Sequence, residues 1–254
     1  MLQIASNQND TFKTLLGLTS AKGLKKAGVL LLSGEKLIRE FLRAPHLAIH
    51  YEISTTQLKP LPIPVAEHPK LERLQLSAEL FAELDILGTH FNLLVLEQPI
   101  ITTLTTEEVS TYNPKSLEVV MPIGDPGNLG ALIRSCEAFA IPRVILTQEA
   151  AHPFLPKAIK ASAGSVLRLP LARGPALRNF PSSCIALDMD GEPLNEFNWP
   201  KTGLLLVGEE GAGLDDRKYK HRLRIPTTGV ESLNVVVAAS IALAHRVMPK
   251  GRNK

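Results

Sequence analysis

Apolar positions along the chain change their period between turns, and the changes lay out most of its elements. Gly28 to Leu32 is a short apolar run that reads as a buried strand; Leu37, Ile38, Phe41 and Leu42 then recur at helical spacing, with Ser33 placed to cap that helix. His46 to Ile53 reads as extended, Ser77 to Leu84 as a helix and Asn92 to Leu96 as a strand. The Pro-punctuated stretch Lys59 to Pro64 reads as an irregular connection or edge strand, because each proline removes a ladder donor. At 101–114, ITTLTTEEVSTYNP, the composition turns to Thr, Glu, Ser and Asn with a closing proline, and the division between domains, 1–112 and 113–254, is expected there.

Beyond this point apolar strands at Leu117–Ile123, Val144–Leu146, Val166–Leu169, Cys184–Leu187, Leu204–Val207 and Leu223–Ile225 alternate with helical patterns. Such alternation predicts an α/β fold, a parallel sheet covered on both faces. Val235 to Val247 is mostly Val, Ala, Leu and Ile, the composition of a buried helix, with Ser232 placed as its cap and Asn234 two residues later. Ligands of parallel sheets gather at the carboxyl ends of the strands, so the residues just after each strand carry the chemistry.

The composition narrows the function classes. No apolar run reaches the roughly 18–20 residues that span a bilayer, and the start, MLQIASNQNDTFK, lacks the order of a secretory signal, so a cytoplasmic protein without a membrane partner is expected. Cys136 and Cys184 lie far apart in apolar surroundings, and the histidines show no paired ligand spacing, so neither a disulfide framework nor a metal site is expected. The net charge of +3 does not by itself argue for nucleic acid. Its distribution says more, because Arg217, Lys218, Lys220, Arg222 and Arg224 crowd around Tyr219 and His221, with a smaller cluster at Lys22, Lys25 and Lys26. Each cluster is either a solvated face or a phosphate-neutralising surface.

Three loops could hold a ligand. Gly124 to Ala140, GDPGNLGALIRSCEAFA, turns at Pro126 and Gly127 and buries Leu129, Leu132, Ile133, Cys136 and Phe139; Arg134 falls off that stripe and either meets an anion or pairs with Glu137. Val207 to Asp216, VGEEGAGLDD, has glycines for close backbone approach, but it is neither the dinucleotide fingerprint nor a P-loop, and Glu209 and Glu210 would repel a phosphate. No strand is followed by GxGxxG, which argues against a nucleotide-dependent oxidoreductase. The third loop, Ile225 to Asn234, leads from a Pro-bounded turn into the long apolar helix.

In this order DPGNLGALIRSCEAF, VGEEGAGL and IPTTGVESLNVVVA resemble the three motifs of the SpoU (TrmH-like) RNA 2′-O-ribose methyltransferases of the SPOUT superfamily, and KAIKASAGSVLRLP resembles the segment between the first two. The resemblance covers Leu117 to Arg246. It implies a parallel-sheet methyltransferase domain with a C-terminal trefoil knot, a homodimer, S-adenosylmethionine as cofactor and ribosomal or transfer RNA as substrate. Position by position it implies catalytic roles for Arg134, Asn128, Glu210, Ser232 and Asn234, and cofactor contacts through the backbone of Leu187, Gly208, Ile225 and Leu233. The stretch between the second and third motifs, with Arg217, Lys218, Lys220 and Arg222, then becomes a candidate RNA contact. LLLSGEKLIREFL, Leu30 to Leu42, is similar to the start of the smaller L30e/L7Ae-like α/β domain found in many members. The chain departs from the pattern at Thr227, Thr228 and Val236, none of which removes a named functional group. A non-catalytic RNA-binding protein on the same fold is the alternative.

Overall fold

The structure is a computed structural model that describes residues 2–208, 214, 219–230 and 232–248. Its contacts divide the chain into two units, Met1–Pro99 with His152–Leu167, and Ile100–Ala151 with Arg168–Lys254.

The first unit is built on a mixed sheet of β1 (Leu2–Ile4), β2 (Val29–Leu32), β3 (Ile49–Ser54), β4 (Glu72–Leu76) and β5 (Leu93–Glu97), in the order β1-β4-β3-β5-β2. β5 runs antiparallel to β2 and β3, while β1, β4 and β3 are mutually parallel. Helices α1 (Asp10–Gly17), α2 (Ala21–Ala27), α3 (Glu35–Arg43) and α4 (Ala78–Leu84) pack with it, as does α7 (Pro156–Ala161). Ser77 caps α4 by accepting from Leu80 N. Ser33 does not cap α3: Gly34 holds that place at φ 96°, and Ser33 is buried at the end of β2. The prolines between Lys59 and Pro64 leave an irregular strand-free connection, tied down by buried Glu52, whose carboxylate accepts from Leu61 N, Asn92 Nδ2 and Arg73 Nε.

The second unit holds the sheet that matters for function. Its strands are β6 (Thr102–Thr103), β7 (Leu117–Met121), β8 (Val144–Leu146), β9 (Leu171–Arg173), β10 (Ile185–Pro193), β11 (Gly203–Leu206) and β12 (His221–Arg224), in the order β12-β10-β11-β7-β8-β9-β6. Every pairing is parallel, as the alternating pattern predicts. One face carries Val120, Ile145, Ala172, Ala186, Leu204 and Leu206 beneath Val109 of α5 (Thr106–Thr111), Leu177, Phe180 and Tyr219. α6 (Pro126–Ala138) and α8 (Val235–Val247) pack against each other. Strands buried on both faces need continuous apolar sequence, and each buried Leu or Val contributes roughly 1.5–3 kcal/mol.

Two expectations shift. Val166–Leu169 is not a strand: Ser165–Leu167 forms a 3₁₀ turn, and the strand starts after Pro170, at Leu171. The polar segment 101–114 is not a bare connection either, since β6 pairs with β9 and α5 carries a capping box between Thr105 and Glu108. The division by contacts therefore falls at Pro99, with Ile100 to Tyr112 packed in the second unit. Among the described residues no helix is long and apolar enough to cross a membrane.

Candidate functional site

Four neighbouring strands of the second sheet, β12, β10, β11 and β7, run in register at their carboxyl side, although β10 continues past Leu187. Leu223 stands beside Leu187, Ala186 beside Leu206, and Leu206 beside Val120. The next residues along, Gly208, Ile225 and the loop leading into α6, therefore emerge at one edge, together with Leu187. β7 is also where the strand order reverses: the chain runs outward from it through β8 and β9, then returns on its other side to β10 and β11. A crevice at such a reversal is where open parallel sheets bind ligands. The last ladder bond on β11 runs from Val207 N to Val120 O, 3.2 Å. Beyond it the backbones of Gly208, Ile225 and Leu233 make no hydrogen bond among the described residues.

The loop after β7 begins α6 with Asp125 as N-cap, its carboxylate accepting from Asn128 N at 2.8 Å, and with Pro126 in the first turn, where its missing N–H costs nothing. Asn128 is half-buried in that turn. Two turns on, Arg134 is exposed and makes no ion pair or hydrogen bond among the described residues. The alternative pairing with Glu137 is not made; Glu137 is held by Arg168 through bonds of 2.8 and 2.7 Å. Burial pushes the neighbouring Cys136 thiol far above its ordinary range, so it is a core group and not a nucleophile.

In the third loop the cap is Asn234, not Ser232. Asn234 Oδ1 accepts from Val236 N at 2.9 Å and Val237 N at 3.4 Å, because the chain turns helical only at Val235. Ser232 is left exposed outside the helix, Leu233 is half-buried, and Gly229 occupies the left-handed region at φ 81°. Thr227 Oγ1 donates to Val230 O, 3.1 Å, closing the loop. Ser240 Oγ donates to Ser135 Oγ at 2.8 Å, pinning α8 to the helix that carries Arg134. α8 is not the fully buried stem its composition predicts: Ala239, Ala242 and Leu243 are buried, whereas Val237, Ile241 and Val247 are exposed. Its last turn is fastened by Trp199 Nε1 donating to His245 Nδ1, 3.1 Å, and by Arg246 Nη2 donating to Lys201 O, 3.0 Å.

Glu210, Arg217 and Lys218 lie outside the described residues. Of the basic stretch, Lys220 is exposed, Tyr219 is buried in the core, and Arg222 is committed to Asp188 at 2.7 Å. The aspartate is one that sequence reasoning passed over; its signal was the run DMDG directly after Leu187. Among the described residues no cluster of His, Cys, Asp and Glu could hold a metal ion.

The second unit is thus an α/β domain with a strand reversal at β7 and, on the helix that starts there, the Arg134 guanidinium, which makes no ion pair or hydrogen bond among the described residues. Residues 117–244 match the SpoU rRNA Methylase family, and the chain belongs to that family. SpoU proteins are RNA methyltransferases that use S-adenosylmethionine. The chain is 37% identical over 250 residues, 95% of its length, to Ribosomal RNA small subunit methyltransferase G 2 of Syntrophobacter fumaroxidans, but spans only 48% of that protein. It is 28% identical over 260 residues, 96% of this chain and 99% of the relative, to the 23S rRNA (guanosine(2553)-2′-O)-methyltransferase RlmP of Bacillus subtilis. Among solved structures, the SpoU methyltransferase AviRb of Streptomyces viridochromogenes in complex with AdoMet shares the fold with a TM-score of 0.76 at 22% identity, over 94% of this chain and 97% of that one.

Proposed function

We propose that the chain is an S-adenosylmethionine-dependent RNA methyltransferase acting on a ribose 2′-hydroxyl of ribosomal or transfer RNA. The observation that carries this reading is that the strands leading into the three motif loops, β7, β11 and β12, reach the same side of the parallel sheet at its strand reversal. The Bacillus subtilis relative, similar along nearly its whole length, is by name a 2′-O-methyltransferase of 23S rRNA. The residues fit the cofactor. Leu187, Gly208, Ile225 and Leu233 offer apolar walls and main-chain groups, the latter three without partners among the described residues, which suits an adenosine recognised through the backbone.

When bound, S-adenosylmethionine supplies a methyl on a sulfonium whose neutral thioether leaves readily, so the demand on the protein falls on the nucleophile. A ribose hydroxyl is a poor nucleophile at neutral pH and must be oriented and relieved of its proton. A guanidinium remains protonated there, so Arg134 acts as an anion binder: it holds the neighbouring RNA phosphate and stabilises the developing alkoxide, while that phosphate or a water takes the proton. Ser232 and the Nδ2 donors of Asn234 orient the ribose, Asn128 supports the start of α6, and Glu210 holds the hydrogen-bond network.

The chain works as a homodimer with its sites at the subunit interface. Val237 and Ile241 form an exposed apolar pair one turn apart on α8, with exposed Met248 at its C-cap, the kind of surface a second copy covers. β10 re-pairs with β12 beyond Leu187, and a Cβ on Gly191 would press on the Leu223 backbone at 2.5 Å; this close wrapping at the end of β12 supports a C-terminal trefoil knot. The first unit serves as an L30e/L7Ae-like RNA-binding domain, with exposed Lys22, Lys25 and Lys26 on α2 meeting phosphate, and Lys220 beside the site. The enzyme acts in the cytoplasm.

Mapping 2′-O-methyl positions in ribosomal and transfer RNA with and without the gene tests the reading, and the expected result is at least one position that loses its methyl group. Titration with S-adenosylmethionine separates the enzyme from a non-catalytic RNA-binding protein, which would bind RNA alone.

A further inference from the structure

β10 does not stop at Leu187. It pairs with β12 as far as Leu187 beside Leu223, loops out through Asp188, Met189, Asp190 and Gly191, and pairs with β12 again at Glu192, which also faces Leu223. Two anchors hold this loop. Arg222 Nη2 donates to Asp188 Oδ2 at 2.7 Å and lies 3.6 Å from Asp190 Oδ2, while Asp188 Oδ1 accepts from Asp190 N at 3.1 Å. Both oxygens of Asp188 are therefore in use. The second anchor is Gly191, where a Cβ would stand 2.5 Å from Leu223 backbone atoms, so only glycine lets the loop lie this close to β12.

The register explains why Arg222 meets Asp188. Arg222 lies opposite Ala186 and shares its face of the sheet with Asp188, whereas Leu187 and Leu223 share the other face. The Asp188 side chain is only 16% exposed and that of Arg222 34%, and Arg222 Nε is fully enclosed. A guanidinium committed in this way, half withdrawn from solvent, is poorly placed to track an RNA backbone.

Building on the reading of Leu187 as a cofactor contact, we propose that Arg222 and Asp188 are positioning residues of the S-adenosylmethionine site and that Arg222 is not an RNA contact. Their ion pair fixes the peptide that follows Leu187, and with it the wall the loop presents beside the cofactor. Removing Arg222 leaves the four-residue loop held to β12 by the close approach of Gly191, and removing Asp188 adds to that only the longer 3.6 Å approach of Arg222 to Asp190. The wall then moves, and the cofactor loses a preformed main-chain surface. RNA capture, which depends on other cations, is untouched.

The test measures S-adenosylmethionine affinity by calorimetry and the affinity of a ribosomal RNA preparation across a salt series, on the full chain and on Arg222→Gln, Asp188→Asn, their double variant and Arg222→Lys. Each Gln or Asn variant is expected to weaken cofactor binding about tenfold, the scale of one charge-assisted hydrogen bond. The double variant should be no weaker than the weaker single, because both break one interaction. Arg222→Lys should recover most of the affinity; in the Gln and Asn variants KM for the cofactor should rise with kcat nearly unchanged, and the salt dependence of RNA binding should stay as in the unmodified chain. Should Arg222→Gln fail to fold, Asp188→Asn carries the same comparison. A flattened salt dependence in Arg222→Gln with cofactor affinity intact would overturn the proposal, as would fully additive losses. An unmodified chain that binds RNA but no S-adenosylmethionine would overturn the cofactor site itself.

Discussion

Ser232 and Asn234 stand two residues apart and do different work. Asn234 spends its Oδ1 on the first turn of α8, so Asn234→Ala should cost about 1 kcal/mol of stability as well as activity. Ser232→Ala removes no cap, and urea unfolding should show no change while single-turnover methylation falls. The sequence offered Ser232 as the cap, and periodicity could not point to Asn234 instead, because the cap depends on where the backbone first turns helical. Arg134 was legible by its place off the apolar stripe, and its freedom from Glu137 was not, since Arg168 approaches from a distant segment. Arg134→Ala should lower single-turnover methylation by about 10²–10³ and leave cofactor affinity within about twofold. A loss of both in equal measure would mean a folding role. Tyr112 supplies a pH test. Its hydroxyl donates to Glu118 at 2.8 Å, and burial, followed by the Glu118 bond and charge, raises the phenol above its usual 10.0, with Arg143 opposing. A raised folded-state value stabilises below the unfolded pKa and is lost as pH climbs through the folded one. Unfolding free energy should therefore decline above about pH 10, and Tyr112→Phe should flatten that decline.

At the scale of elements, the alternation of apolar runs and helical patterns disclosed the parallel sheet, because strands covered on both faces have no polar side to interrupt them. Short or paused elements were harder. Pro170 delays β9 past the apolar run that precedes it, and the two-residue β6 has too little sequence to carry a period. α8 shows the limit most clearly. Its composition suits burial all round, yet the fold buries only Ala239, Ala242 and Leu243 and leaves Val237, Ile241 and Val247 exposed, and no pattern inside the helix distinguishes the two sides. If the proposed homodimer forms through this face, Ile241→Lys should yield a monomer in sedimentation measurements and abolish methylation; a monomeric variant with full activity would exclude the proposed interface from the site. Trp199, the single tryptophan, bonds to His245 in the last turn of α8, so its emission should report any loosening of that helix.

At the scale of the molecule, the contacts divide the chain at Pro99, and the polar stretch near residue 101 gave no sign that residues beyond it pack with the first unit. Residues 152–167 follow β8 in sequence and pack with the first unit, and such a return leaves no mark in local periodicity. Reversing the charges of Lys22, Lys25 and Lys26 together should weaken RNA binding and reduce its salt dependence while leaving S-adenosylmethionine affinity unchanged. Methyl transfer to a ribose 2′-oxygen is checked by incubating the chain with methyl-labelled S-adenosylmethionine and unmodified ribosomal and transfer RNA, then hydrolysing the RNA in alkali. A 2′-O-methyl group blocks attack on the adjoining phosphodiester, so the label should appear in alkali-resistant dinucleotides. Label confined to mononucleotides carrying a methylated base, or no transfer to either RNA, would contradict the account.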